Sequence, residues 1–341
     1  MSKQRKLSYL FSILWVVVLF AVIMGAVATG VINSYYSGIL VLIGINIILA
    51  VSLNLVTGFL GQLVLGHAGF MSVGAYSAAL FTMHSGLPIS ISFPLGLVFG
   101  GLVAAIFGVI IGVPALRLRG DYLAIITLGF GEIIRVLILA VDFTGGAAGL
   151  TGIPYVTGDY TLLMYTFVVA MLTVVAILAF IRSRHGRAVI AIREDEIAAE
   201  ASGINTTYYK LLAFVVAAFF AGVAGGIYAH YIGVLDPGKF DFNYSVEILI
   251  MVVLGGMGSI TGSVCSATVL TLLPEMLRSF ADKRMLIYSL VLIIVMLFKP
   301  TGLLGTHEFS VRRIVGKIFD KKEKKQTIST PPAGGAPGKE A

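Results

Sequence analysis

The chain keeps returning to apolar runs of about twenty residues, the length a helix needs to cross a hydrocarbon core about 30 Å thick. Such runs cover Leu7–Ala28, Gly38–Thr57, Ile91–Leu116, Tyr122–Val141, Thr161–Ile181 and Leu211–Leu235, with a shorter one at Met285–Phe298. Only 12% of residues are charged and mean hydropathy is +0.98, whereas a soluble domain carries about 25% charge. The sequence therefore predicts an all-α, polytopic membrane bundle. A net charge of +7 raises the question of nucleic acid. The basic residues lie beside apolar spans, however, so the positive-inside rule accounts for them and no nucleic-acid partner is expected.

Two apolar stretches are too rich in glycine for uniform lipid-facing helices: Gly58–Leu80 and the LGGMGSITGS core of Glu247–Leu273. The glycines of the first fit close helix packing or a break inside the protein, and a break is expected in the second. Their faint similarity, with leading helices at Gly38 and Leu211 crossing in opposite senses, is the trace of an inverted repeat with broken helices. Glycines four apart at Gly96/Gly100, Gly108/Gly112, Gly222/Gly226 and Gly258/Gly262 predict close helix packing. A break at Gly255–Gly258 turns that segment back, giving about 9–10 membrane segments and placing both termini in the cytoplasm. It also puts Arg278, Lys283 and Arg284 near the outer surface, against the charge rule. On this reading residues 1–6 are a cytoplasmic N-terminus and 7–310 the membrane domain, beginning with an uncleaved helix. Residues 311–341 form a basic, disordered cytoplasmic tail. The run Lys321–Lys325 reads either as solvated or as touching anionic membrane lipid.

One long polar segment, Arg182–Lys210, divides the apolar mass in two. Within it Asp195–Ser202 reads as a short helix closed by Gly203. It fits either a plain solvated connection or a handle for a soluble partner. Inside the spans, Asn46, Asn54, Gln62 and His67 fit either a polar pathway or hydrogen bonds between helices. Glu132, roughly 15 Å along the helix from Tyr122, shares a face with Arg135. That spacing fits a self-neutralised ion pair or a gate.

Catalytic signatures are absent from the sequence. There is no G-x-x-x-x-G-K-[ST] loop, since Gly338-Lys339 is followed by glutamate and lacks the first glycine. No H-E-x-x-H or G-x-S-x-G occurs. Five scattered histidines and Cys265 alone assemble neither a metal centre nor a disulfide. No enzyme activity, metal or cofactor is expected, and any pumping draws on an ion gradient or another subunit.

Several blocks, in order, resemble the LivM-type permease subunits of branched-chain amino acid ABC importers. They are LNLVTGFLGQLVLGHAGFMSVGAY from Leu53, LRLRGDYLAIITLGFGEIIRVL from Leu116, TGGAAGLTGIP from Thr144 and REDEIAAEASGIN from Arg193. KLLAFVVAAFFAGVAGGIYA from Lys210, SVEILIMVVLGGMGSITG from Ser245 and LFKPTGLLG from Leu297 complete the series. The GDYLAIITLGFGE block separates this type from the companion permease and from urea permeases of the superfamily. The resemblance implies a bacterial or archaeal cell-membrane protein that pairs with a second, homologous permease subunit. It also implies two cytoplasmic ABC ATPases and an extracytoplasmic substrate-binding protein.

The polar segment then falls where such permeases place a coupling helix, written E-A-A-x-x-x-G. Ala198, Ala199 and Gly203 fit that spacing, with Ile197 where the glutamate would stand and Arg193, Glu194, Asp195 and Glu196 just upstream. From a different class, an ion-coupled secondary transporter of small solutes predicts uptake by the isolated chain. A urea or short-amide permease of the same superfamily is the remaining alternative.

Overall fold

The computed structural model describes residues 25, 33–118, 120–156, 159–278, 283–299, 302, 303 and 305. The expected N-terminal segment 1–6, the first span and the basic tail 311–341 lie outside the described residues, Gly25 apart. The described elements all belong to one unit, Ala26–Glu308.

The helices are α1 (Ser34–Asn54), continued by a π-turn (Leu55–Phe59), α2 (His67–His84), α3 (Ile89–Ala115), α4 (Asp121–Ala140) and α5 (Asp159–Arg182). Two short helices follow, α6 (Arg184–Glu194) and α7 (Glu196–Ala201). The chain then crosses as α8 (Thr206–Ile232), turns back as α9 (Phe242–Gly255) and α10 (Ile260–Met276), and ends in α11 (Arg284–Phe298). Among the described residues five helical stretches are long and apolar enough to cross a membrane, and α9 and α10 are shorter apolar helices. The expected break is present at 256–259, and of the two alternatives for the first glycine-rich stretch a break is found at 60–66.

The core sits where α1 and α8 run. The most apolar 18-residue windows are 72% buried in α1 with its π-turn and 67% in α8, against 22% in α4 and 33% in α5. Glycine makes the tightest contact in this core. A Cβ on Gly74 of α2 would lie 2.1 Å from Gly222 Cα of α8, and one on Gly222 would lie 2.8 Å from Gly100 O of α3. Three helices thus meet backbone to backbone, which only small residues permit. Gly108 and Gly112 meet Ala218 and Phe214 in the same α3–α8 seam. Gly258 and Gly262, by contrast, belong to the second break and the first turn after it.

Hydrogen bonds give the helix directions. Asn46 Nδ2 of α1 donates to Thr271 Oγ1 of α10 at 2.9 Å. Tyr35, at the start of α1, bonds Glu275 at the end of α10. Gly38 near the start of α1 lies against Tyr231 near the end of α8. Helix α1 is therefore antiparallel to both, and Ser266 Oγ bonding Met251 O closes α9 and α10 into a hairpin. The two breaks consequently lie at one end of the bundle, the end that also holds segment 182–210. The expectation of Arg278 at the other end holds. Its guanidinium carbon stands 5.0 Å from the centre of the Tyr35 ring, a cation–π contact that offsets the charge.

At the end opposite segment 182–210, Leu150 and Leu235 exchange backbone bonds at 2.9 Å, strapping the loop after α4 to the loop after α8. Tyr76 Oη donates to Leu235 O at 3.1 Å and anchors this strap to α2.

Overpacking a core typically costs about 1–3 kcal/mol. Gly74→Ala forces backbone apart and is expected at or above the upper end. Gly129→Ala, whose Cβ meets nothing within 4 Å, gains helix propensity of up to about 1 kcal/mol. Thermal unfolding in detergent checks the contrast.

Candidate functional site: the junction of two broken helices and a charged lever

A broken helix at membrane depth orphans backbone N–H and C=O groups, which the protein must satisfy itself. In the first break Gln62 N–H, which a continuing helix would give to Gly58 O, goes to Val56 O at 3.0 Å. Leu65 N–H donates to Thr127 Oγ1 of α4 at 3.1 Å, and Ala68 N–H to Ser245 Oγ of α9 at 3.2 Å. In the second break Leu303 N–H donates to Leu254 O at 2.7 Å. The GLLG end of the LFKPTGLLG block therefore lies against this break.

Asn54, fully buried at the end of α1, joins the two breaks. Its Nδ2 donates to Ser259 O at 3.0 Å and Ser263 Oγ at 2.9 Å, and its Oδ1 accepts from Gly258 N–H at 2.9 Å. Both amide hydrogens and the carbonyl are used. Gly58 and Gly258 abut here, since a Cβ on Gly58 would lie 2.3 Å from Gly258 N. Gly258 has φ +85°, a conformation that favours glycine. Arg193 reaches the same point from the last turn of α6, and its Nη1 donates to Gly58 O at 2.8 Å.

The rest of the polar segment forms a braced lever. Ser183 caps α6 by accepting from His185 and Gly186 N–H. Asp195 caps α7 by accepting from Ile197 N–H at 2.9 Å and Ala198 N–H at 3.0 Å. Gly203, with φ +81°, ends α7 in a Schellman motif. Ile204 N–H bonds Ala199 O at 3.1 Å and Gly203 N–H bonds Glu200 O at 2.9 Å. Two contacts clamp α7 to α8. Lys210 Nζ, almost fully buried, lies 2.7 Å from Glu196 Oε1, and Thr206 Oγ1 donates to Glu200 Oε1 at 2.7 Å. Ala199 packs inward, while Ala198 and Glu194 are exposed and Ile197 is 72% exposed.

The remaining sequence-predicted residues do not converge on one chamber. Asn46 bridges α1 to α10. His67 Nε2 lies 2.9 Å from Ser52 Oγ. Ser52 Oγ also lies 3.0 Å from Leu49 O. Gln62 lies in the first break with its Oε1 buried and without a hydrogen-bond partner among the described residues, as is Thr57 Oγ1 nearby in sequence. Glu132 and Arg135 pair at 2.7 Å on α4, each about a third exposed. Among the described residues no cluster of His, Cys, Asp and Glu is placed to hold a metal. Sequence reasoning passed over Ser259, Ser263, Thr127 and Ser245, which complete the junction. Their signal is a small hydroxyl beside a glycine-rich break, the place where side chains replace lost backbone bonds.

Residues 35–299 match the model of a family described as the permease component of the branched-chain amino acid transport system. The chain belongs to that permease family. It is 38% identical over 291 residues to the high-affinity branched-chain amino acid permease LivM of Salmonella typhimurium, covering 76% of this chain and 68% of the relative. The Escherichia coli LivM matches with the same identity and coverage. The Escherichia coli permease LivH is 34% identical over 145 residues, 42% of this chain and 47% of LivH. Both breaks and the whole lever of this permease lie inside the family match.

Asn54→Ala removes three bonds to the second break. Interhelical hydrogen bonds in membranes average about 0.6 kcal/mol each, so a loss of about 2 kcal/mol in the stability of the solubilised permease is expected. Asn46→Ala, which removes one, should cost about a third of that on the same thermal scale.

Proposed function

We propose that this permease is the membrane subunit of an ATP-driven importer of branched-chain amino acids, leucine, isoleucine and valine. It forms the pathway with a second, homologous permease. Two cytoplasmic ATPases bind the lever, and an extracytoplasmic binding protein delivers the substrate to the opposite end. The observation that carries this reading is the lever itself, a capped, clamped helix pair with an exposed tip, rooted in the helix breaks. A soluble motor needs a surface of this kind to move helices it does not touch.

The distribution of charge supports a cytoplasmic lever. Arg117, Arg182, Arg184, Arg187, Arg193, Lys210 and Lys299 lie at its end, against Lys239, Arg278, Lys283 and Arg284 at the other. The positive-inside rule favours the cytoplasm for the richer end, and on this reading both termini are cytoplasmic. Glu132 and Arg135 support a companion permease. A charge at the bilayer centre costs about 2.5–3.5 kcal/mol even on the mildest scales, so a partly exposed pair on a thinly covered helix belongs against another chain or a wet pathway rather than lipid. Arg193, Glu194, Asp195, Glu196, Ala198, Ala199 and Gly203 are the coupling residues on this reading. Asn46, Asn54, Gln62 and His67 tune the pathway through the helices they join.

The pairing of Glu132 with Arg135 also weighs against an ion-coupled carrier, because a neutralised carboxylate makes a poor lone proton relay. Reconstitution tests the choice. Labelled leucine is expected to enter vesicles only when the companion permease, the ATPases, ATP and the binding protein are all present. Uptake by this chain alone, abolished by an ionophore and indifferent to ATP, would establish the carrier instead.

A further inference from the structure

Resting on the coupling reading above, we infer that Arg193 is a positioning residue that ties the lever to both helix breaks, rather than part of the surface offered to the ATPases. It differs from the three acidic residues that follow it. Glu194 is exposed, Asp195 caps α7, and Glu196 is held by Lys210 at 2.7 Å. Arg193, exposed along part of its length, instead sends its guanidinium to a carbonyl 135 residues away in sequence.

That carbonyl is the one the first break orphans. Gln62 N–H would serve Gly58 O in a continuous helix but is given to Val56 O, and the guanidinium takes its place at 2.8 Å. A charge-assisted bond here replaces a lost backbone bond, and it is stronger than a neutral one. The slot exists because side chains are missing from its walls. A Cβ on Gly61 would stand 3.0 Å from Arg193 Cγ, and one on Gly258 would stand 3.0 Å from Arg193 Nη1. The arginine therefore passes along the first break and ends at the contact with the second.

The consequence is mechanical. Only Glu194 and Asp195 separate Arg193 from the first residue of α7, so displacing α7 pulls directly on the guanidinium. Withdrawing it leaves Gly58 O unpaired and loosens the point where Asn54 holds Gly258, Ser259 and Ser263. Lever position and break geometry are thereby two readings of one equilibrium, which is what coupling between sites requires. The clamp to α8 through Lys210 moves a rigid helix. Arg193 acts on the two places where the backbone is not helical.

The test uses the complete transporter with Arg193→Met, which keeps the length of the stem and removes the donors, and Arg193→Lys, which keeps a charge. The readouts are ATPase co-purification, ATP hydrolysis and leucine imported per ATP. With Arg193→Met the ATPases are expected to remain bound and hydrolysing, while leucine per ATP falls about tenfold, the scale of one charge-assisted bond. Arg193→Lys should recover part of the ratio. An unchanged ratio in Arg193→Met overturns the inference. Loss of the ATPases from an otherwise folded permease overturns it too, since Arg193 is then a docking contact, and leaves the coupling reading standing. Wild-type import without ATPases removes that reading itself.

Hydrogen exchange on the wild-type complex covers the case in which the variants do not fold. Nucleotide binding is expected to change protection at 193–203, 55–66 and 256–263 together. A change confined to 193–203 contradicts the inference.

Discussion

Everything in this bundle depends on how it satisfies the backbone where its helical runs break, at 60–66 and 256–259. Lipid offers no donors or acceptors, so each break must be closed by protein groups or it will not persist. The chain closes both breaks against each other. Asn54 commits both amide hydrogens and its carbonyl to the second break, and Arg193 donates to the Gly58 carbonyl that the first leaves open. Two irregular stretches that would each be costly alone become one shared joint. A joint of this sort has few alternative arrangements, which suits a bundle that switches between discrete states rather than bending smoothly.

Around the joint the helices divide by stiffness. Helices α2, α3 and α8 touch through Gly74, Gly100 and Gly222 with almost no space between backbones, and α1 lies buried among α5, α8 and α10. Helices α4 and α5 are mostly uncovered. A rigid inner block beside thinly covered outer helices fits a subunit that completes itself against a second permease. The strap between Leu150 and Leu235 ties the far end of the rigid block to the loop after α4, so motion at one end has a route to the other.

Much of this was legible in the residues. Apolar run length places the long spans to within a few residues, as with Ile91–Leu116 against the observed Ile89–Ala115. Glycine density at Gly255–Gly258 marks the second break, and Gly203 marks the end of the short helix. The i,i+3 spacing of Glu132 and Arg135 gives their pairing. Helix α6 was hidden because RHGRAVIAIRE is polar overall and is ordered by a cap at Ser183 and by packing of Val189 and Ile192. Asn54 was ambiguous because one asparagine in an apolar run serves a pathway or a neighbour equally well, and its partners lie more than 200 residues away. Arg193 was grouped with the charges beside it, since charge alone points to solvent. The bond from its guanidinium to Gly58 O depends on glycines in two distant segments.

The most direct test of the central claim, that a cytoplasmic lever rooted in the breaks is what the ATPases grip, is the accessibility of its tip. With the native exposed Cys265 replaced by serine, Ile197→Cys is labelled with a membrane-impermeant thiol reagent. The account predicts reaction in inside-out vesicles stripped of ATPases, protection when the ATPases are restored, and no reaction from the outside of intact cells. Labelling from outside, or equal labelling with and without bound ATPases, would contradict it.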